Sequence, residues 1–176
     1  MEDAMTEAKK TQEGFTIFRA KDAPELMEAK CMTVEPFTPK QREGMNALVA
    51  NGYIDGGETR ILTNLPGFCI THVWFKAGYP LPLHSHDADC MYYIVAGSIR
   101  LGTEELGPRD CFFVPTDVPY TYRPGPDGVE LLEIRHAPHF NFLNLAKGEA
   151  FWKKAAESCA DHREAWKTAQ MPALNA

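Results

Sequence analysis

Beyond Gly52 the chain breaks into short runs rich in β-branched and aromatic residues, at 59–63, 68–76, 91–96, 99–102, 111–114, 120–123 and 129–136. Each run is stopped by glycine, proline or aspartate, the residues that punctuate strands. Short strands in such a series cannot bury their apolar faces alone, so the pattern predicts a sandwich or closed barrel. The flanks read differently. Residues 15–18 are strand-like, and Pro24 with Asp22 as a cap signals a short helix. The segment 39–50 stays open between helix and loop. Near the end, Phe151, Ala155, Ser158, Cys159, His162, Ala165 and Trp166 recur at helical spacing between Lys147 and Thr168, which predicts one closing amphipathic helix. The expected organisation is a flexible N-terminus over 1–14, an N-terminal arm over 15–58, a β core over 59–140, and a C-terminal helix and tail over 141–176. No internal repeat is apparent, so a single β unit is expected.

A length of 176 residues with a 44% hydrophobic share suits one domain with its own core. The net charge is -6 and no lysine or arginine cluster is present, which argues against nucleic acid or an anionic membrane as partner and favours a small-molecule ligand. No apolar run approaches the roughly 18 residues of a membrane span. The N-terminus also lacks the basic start and apolar stretch of a secretory signal, so a cytoplasmic location is expected. Five cysteines without C-x-x-C spacing fit reduced thiols better than a disulfide framework.

The residues richest in chemistry are His84 and His86. At spacing two on an extended strand, both imidazoles leave the backbone on one side and can converge on a metal ion. Cys90, Tyr92 and Ile94 continue that parity along a β-favouring run that ends at Gly97. The frame Gly78-x5-His84-x-His86-x3-Cys90-x6-Gly97 resembles the first motif of the cupin superfamily, with Cys90 where that family usually carries a glutamate ligand. Asp110-x4-Pro115-x4-Tyr120 resembles the second motif. There Arg109 and Asp117 replace glycines, Tyr120 stands at the third histidine and Pro124 at a frequent asparagine.

The resemblance covers roughly residues 60 to 138 and implies an all-β jelly-roll (cupin) barrel, here with a short N-terminal helical arm and one C-terminal helix. It also implies one divalent transition metal, Fe, Zn, Ni or Mn, held by His84 and His86. Even an open catalytic site usually has a third protein ligand. Tyr120 is a positional candidate, as a phenolate ligand or a pocket-lining hydroxyl; Cys90 is another, as a thiolate ligand or a packed core thiol. His136, on a strand with Leu132 and Ile134, is a further candidate ligand. His72 reads as a hydrogen-bonded core histidine, His139 as a loop residue and His162 as a surface or interface residue. In cupin lyases that cleave dimethylsulfoniopropionate a tyrosine beside the metal acts as base, and Tyr92 stands at that kind of position. Tyr92 and Tyr120 are therefore the catalytic candidates.

Among the strand charges Arg60, Arg100, Glu133 and Arg135, an inward arginine would grip a carboxylate in two-pronged fashion, and Arg60 and Arg135 are the first places to look. Asp87 and Asp89 are expected in solvent. The expected function is that of a metal-dependent enzyme acting on a small organic molecule. The first reading is a non-haem dioxygenase-type reaction on an aromatic or carbonyl substrate, with Trp74, Phe75, Phe112, Phe113 and the tyrosines as lining. The alternatives are a lyase or isomerase of a small acid, or a non-catalytic binding cupin. Small barrels often cover an open sheet edge by pairing, so a homodimer is expected.

Overall fold

The computed structural model describes residues 14–175, so the expected flexible N-terminus over 1–14 lies almost wholly outside the described residues. Strands β2 (Gly57–Leu65) and β3 (Phe68–Phe75) form a hairpin turned at Gly67. On β3, buried Cys69, Thr71 and Val73 alternate with Ile70 and His72, which are only partly covered, so one face of the strand points inward. β3 pairs with β8 (Arg123–Arg135), β8 with β5 (Cys90–Leu101), and β5 with both β6 (Glu104–Leu106) and β7 (Cys111–Val114). The result is a six-stranded antiparallel sheet.

A second sheet lies across it, in the order β1 (Met32–Val34), β9 (Phe140–Asn144), β4 (His84–Ser85). β1 comes from the N-terminal arm and runs parallel to β9. The chain between β7 and β8 joins this sheet through reciprocal backbone hydrogen bonds between His84 and Tyr120. The fold is thus the expected jelly roll, but its two sheets are not closed by a continuous hydrogen-bonded ladder into a barrel. Side chains fill the space between the sheets instead. Val73, Cys90, Tyr92, Ile94, Leu131 and Tyr122 are among those forming the core between them.

Two glycines of the first motif earn their places by geometry. Gly97 has φ 71°, and a Cβ there would lie 2.2 Å from the carbonyl oxygen of Gly128 on the neighbouring strand. This close approach coincides with register shifts between β5 and β8 at Ile94/Ala96 and Gly97/Ile99. Gly78 has φ 74° and packs beneath the ring of His162. Arg109 and Asp117, which stand where glycines are usual, hold the same left-handed backbone at φ 78° and 61°. The turn geometry has been kept although its easiest residue has not.

The ambiguous segment is helix α2 (Pro39–Ala50), preceded by the short α1 (Leu26–Ala29). Its start is a capping box: the Thr38 side chain accepts from the Gln41 backbone, the Gln41 side chain accepts from the Thr38 backbone, and Pro39 opens the first turn. The closing helix is α3 (Glu149–Trp166). It buries Trp152, Ala155, Cys159 and Trp166 against Leu48 of α2 and Tyr79. Trp166 donates its indole N–H to Ala77 O at 2.8 Å, and Ser158 donates to Gly78 O at 2.7 Å. The helix pair therefore braces the loop that leads into the His84/His86 strand. No described helix is long and apolar enough to cross a membrane.

Candidate functional site

β4 is only two residues long and carries His84, with His86 directly after it. His84 and His86 are buried, and their rings meet edge to face with centroids 5.0 Å apart. His84 donates from Nδ1 to Pro82 O at 2.8 Å, and His86 donates from Nδ1 to Asn141 O on β9. A carbonyl can only accept, so each Nδ1 carries the hydrogen and each neutral ring keeps its lone pair on Nε2. Burial, with the neighbouring His86, lowers the His84 pKa to about 3. Burial and the nearby Arg135 charge lower that of His86 as well. Both rings are thus held neutral near pH 7, each with its orientation set by a backbone acceptor.

Aromatic rings surround the pair. His84 stacks on Phe142 at 5.0 Å and lies 4.4 Å from Tyr120, while His86 meets the Phe140 ring edge-on at 5.5 Å. Tyr120 and Tyr92 share a buried hydroxyl–hydroxyl hydrogen bond. Burial first, and the Glu133 charge second, hold both phenols well above their ordinary range, so both remain protonated. Phe112 stacks on Tyr92 at 4.4 Å and Tyr122 meets both edge-on. Of the four expected lining aromatics outside the tyrosines, Phe75 and Phe112 pack against this interior; Phe113 is exposed and Trp74 has the outward parity of His72.

Cys90 is also buried inside, and its thiol is pushed up to about 12, by burial and then by Glu133. It sits there as a neutral packed thiol. His136 is not brought to the pair. It follows β8 in an exposed position on the side of Leu132 and Ile134, because Val129 and Leu131 are the residues of that strand that enter the core. A strand apolar on both faces hides that choice from its sequence. His72 bonds Glu130 at 2.9 Å, and His162 bonds its own helix at Ser158 O. Asp87 is exposed as expected and Asp89 partly so, and both also bond backbone: Asp87 accepts from Asn141 N at 2.6 Å and Asp89 from Thr116 N at 2.7 Å, which pins the loop after His86 to β9 and to the turn after β7.

Sharing the parity of Val129 and Leu131 are Glu133 and Arg135. Arg135 is 1% exposed and gives one Nη1 hydrogen bond to Glu133 Oε2 at 2.7 Å, with its guanidinium 4.0 Å over the Phe140 ring. Burial pulls the guanidinium downward, but Glu133 together with Tyr92, Cys90 and Tyr120 outweighs it, so it stays a cation. Arg60, the other arginine of interest, is paired with Glu25 and Glu58 at the rim of the β2 edge. The importance of Glu133 was not legible in the sequence. The only signal was its place two residues from Leu131 and Arg135.

No protein-family model matches this sequence, and no curated protein matches it. Solved structures do resemble it. The polyketide cyclase RemF from Streptomyces resistomycificus is 21% identical, covering 59% of this chain and 84% of its own, with a TM-score of 0.49. A variant of oxalate decarboxylase from Bacillus subtilis is 22% identical over 51% of this chain, with a TM-score of 0.47, and this chain spans 28% of its length. An RmlC-like cupin from Shewanella frigidimarina is 24% identical, covering 48% of this chain and 78% of its own, with a TM-score of 0.42. These are likenesses of fold alone. Two facing sheets, with a His-x-His strand looking into the space between them, decide the architecture. The chain is a jelly roll of two β-sheets.

Do the residues of this jelly roll fit the metal that the resemblance in sequence implies? In part they do. Each neutral imidazole gives its Nδ1 hydrogen to a backbone carbonyl, and such a bond fixes the ring so that Nε2 can face an ion. The third donor is the point of departure: among the described residues no group of three or more His, Cys, Asp or Glu is arranged to hold an ion. The seat offered is a two-imidazole one whose remaining positions would fall to Tyr120, water or a ligand.

Proposed function

We propose that this chain is a cupin enzyme acting on a small organic molecule, with His84 and His86 as the seat of one divalent transition metal. The observation that carries this is the pair of locked, neutral rings with their Nε2 lone pairs left open. A bound metal would polarise a carbonyl, enol or carboxylate oxygen. The protein's own residues supply the rest. Tyr120 Oη, hydrogen-bonded to Tyr92 Oη, is a protonated donor beside the imidazoles, and Tyr92 can restore its proton through the shared hydrogen bond. Phe112 covers the Tyr92 ring, and Phe140 and Phe142 flank the imidazoles. Proton transfer of this kind suits the lyase or isomerase reading; the dioxygenase-type reading draws only on the aromatic lining.

Metal analysis of protein purified without a histidine tag tests the seat. The expected result is about one Fe, Zn, Ni or Mn per chain, lost in the His84→Ala, His86→Ala double variant while its fold is retained by circular dichroism. A native protein that neither contains nor takes up any of these metals would overturn it.

The same reading includes a homodimer. Met91 and Phe113 face each other in register on the outer surface of the large sheet and are exposed, as is Tyr93 on the same face. Such an apolar surface is the kind that pairing covers. Static light scattering is expected to give twice the chain mass of 19.7 kDa at micromolar concentration, and a mass of one chain throughout rejects the dimer.

A further inference from the structure

Arg135 is a charged residue whose bonding is unfinished. Its Nη1 is engaged by Glu133, but Nε and Nη2 are buried without any hydrogen-bond partner. Those two nitrogens form one edge of the guanidinium, with their N–H groups parallel, the edge that receives the two oxygens of a carboxylate. A buried donor left unpaired is destabilising, and more so when it is charged, so such a pair calls for an occupant. On the neighbouring strand the hydroxyl of Thr71, which pairs in register with Glu133, is likewise buried and without a partner. Both lie on the inward faces of β3 and β8. Arg135 and His86 both lie against the Phe140 ring, at 4.0 Å and 5.5 Å, so the open edge belongs to the same interior as the imidazole pair.

We propose that the open Nε/Nη2 edge of Arg135 is a carboxylate-binding subsite of this interior, so that the ligand is a small carboxylic acid. Glu133 acts as the positioning residue: it holds Nη1 and so leaves the opposite edge open. Phe140, beneath the guanidinium plane, fixes its tilt. This site is distinct from the rim pairing of Arg60, whose Nε, Nη1 and Nη2 are all engaged by Glu58, Ala23 O and Glu25. The inference rests on the reading of this interior as a small-molecule pocket, but not on the metal.

The test is calorimetric titration of the full chain, treated with chelator, using acetate and benzoate as probes, acetamide and benzamide as neutral isosteres, and inorganic phosphate as a non-planar oxyanion. At least one carboxylate is expected to bind saturably in the millimolar range or tighter, with its amide about tenfold weaker or more. Arg135→Lys keeps a cation beside Glu133 but loses the fork, and is expected to weaken carboxylate binding by about tenfold at an unchanged fold. The His84→Ala, His86→Ala double variant is expected to retain binding. Equal affinity for acid and amide, unchanged affinity in Arg135→Lys, preference for phosphate, or no saturable binding of either acid would each overturn the assignment. Carboxylate binding lost with the two histidines and kept in Arg135→Lys would likewise overturn it while leaving the metal seat intact. Binding that depends on Arg135 in a protein that takes up no metal supports the subsite and removes only the metal reading.

Discussion

Replacing Arg135 by methionine is expected to lower stability by about 3–5 kcal/mol, because the change leaves the Glu133 carboxylate in the interior without its countercharge. For a chain of this length that corresponds to a fall in Tm of roughly 10 °C. The loss should come from the orphaned charge rather than from missing volume, since methionine fills much of the space of the arginine stem. The double variant Arg135→Met, Glu133→Gln is therefore expected to recover most of the loss, because a neutral amide needs no countercharge. Thermal melts of the single and double variants check this. A single variant within about 1 kcal/mol of the parent would show that Glu133 is solvated well enough to stand alone. The contrast with Arg135→Lys is informative: that variant retains the ion pair and should melt close to the parent, so the stability role and the ligand role of this residue separate experimentally.

Gly97→Ala should be nearly as damaging. Position 97 holds φ 71°, which costs a residue with a Cβ about 1–2 kcal/mol. The added methyl would also sit 2.2 Å from Gly128 O, a backbone atom that cannot swing aside as a side chain can. Moving β5 and β8 apart would stretch the central pairing of the large sheet, so overpacking adds about 1–3 kcal/mol to the strain. The expected loss is about 3 kcal/mol, again roughly 10 °C in Tm. Gly102→Ala is the control, with φ 60° and no atom within 4 Å of the added methyl, and should show the backbone strain alone. Equal losses at the two positions would mean that the close approach to Gly128 carries no energetic weight.

The comparison between these glycines shows what can be read from residues in order. Glycine at 97 reads as a strand end, yet β5 continues through it to Leu101, with a register shift against β8 at that point. The His84/His86 spacing needed only local geometry, because strand parity is a property of the backbone itself. The same holds for α3, whose apolar period survives in the buried set Trp152, Ala155, Cys159 and Trp166. The Thr38–Gln41 capping box was equally local, and the residue types Thr-Pro-x-Gln carry its signal.

Other features depend on which face of a strand meets the second sheet, and that is not local. β8 is apolar on both sides, with Leu131 and Leu132 adjacent, so nothing along the strand decides between an inward His136 and an inward Arg135. Its pairing with β3 and β5 decides it. Cys69 and Cys90, on two different strands, both take Arg135 as register partner, and they bury it between them. The partial charges on the site follow from the same packing: Glu133 raises the tyrosine pKa values only because β8 and β5 place it opposite Tyr92.

The sequence by itself determined the strand-rich core, the two helical flanks and the parity of the imidazole pair, since each follows from backbone periodicity and turn chemistry within a few residues. Only the tertiary structure decided that the sheets stay unjoined as a barrel, that Nδ1 of each histidine is taken by a backbone carbonyl, and that Glu133 and Arg135 share the inward face of β8 while His136 is exposed. Those outcomes rest on contacts between segments far apart in the chain, whose energies depend on burial and register that no single segment encodes.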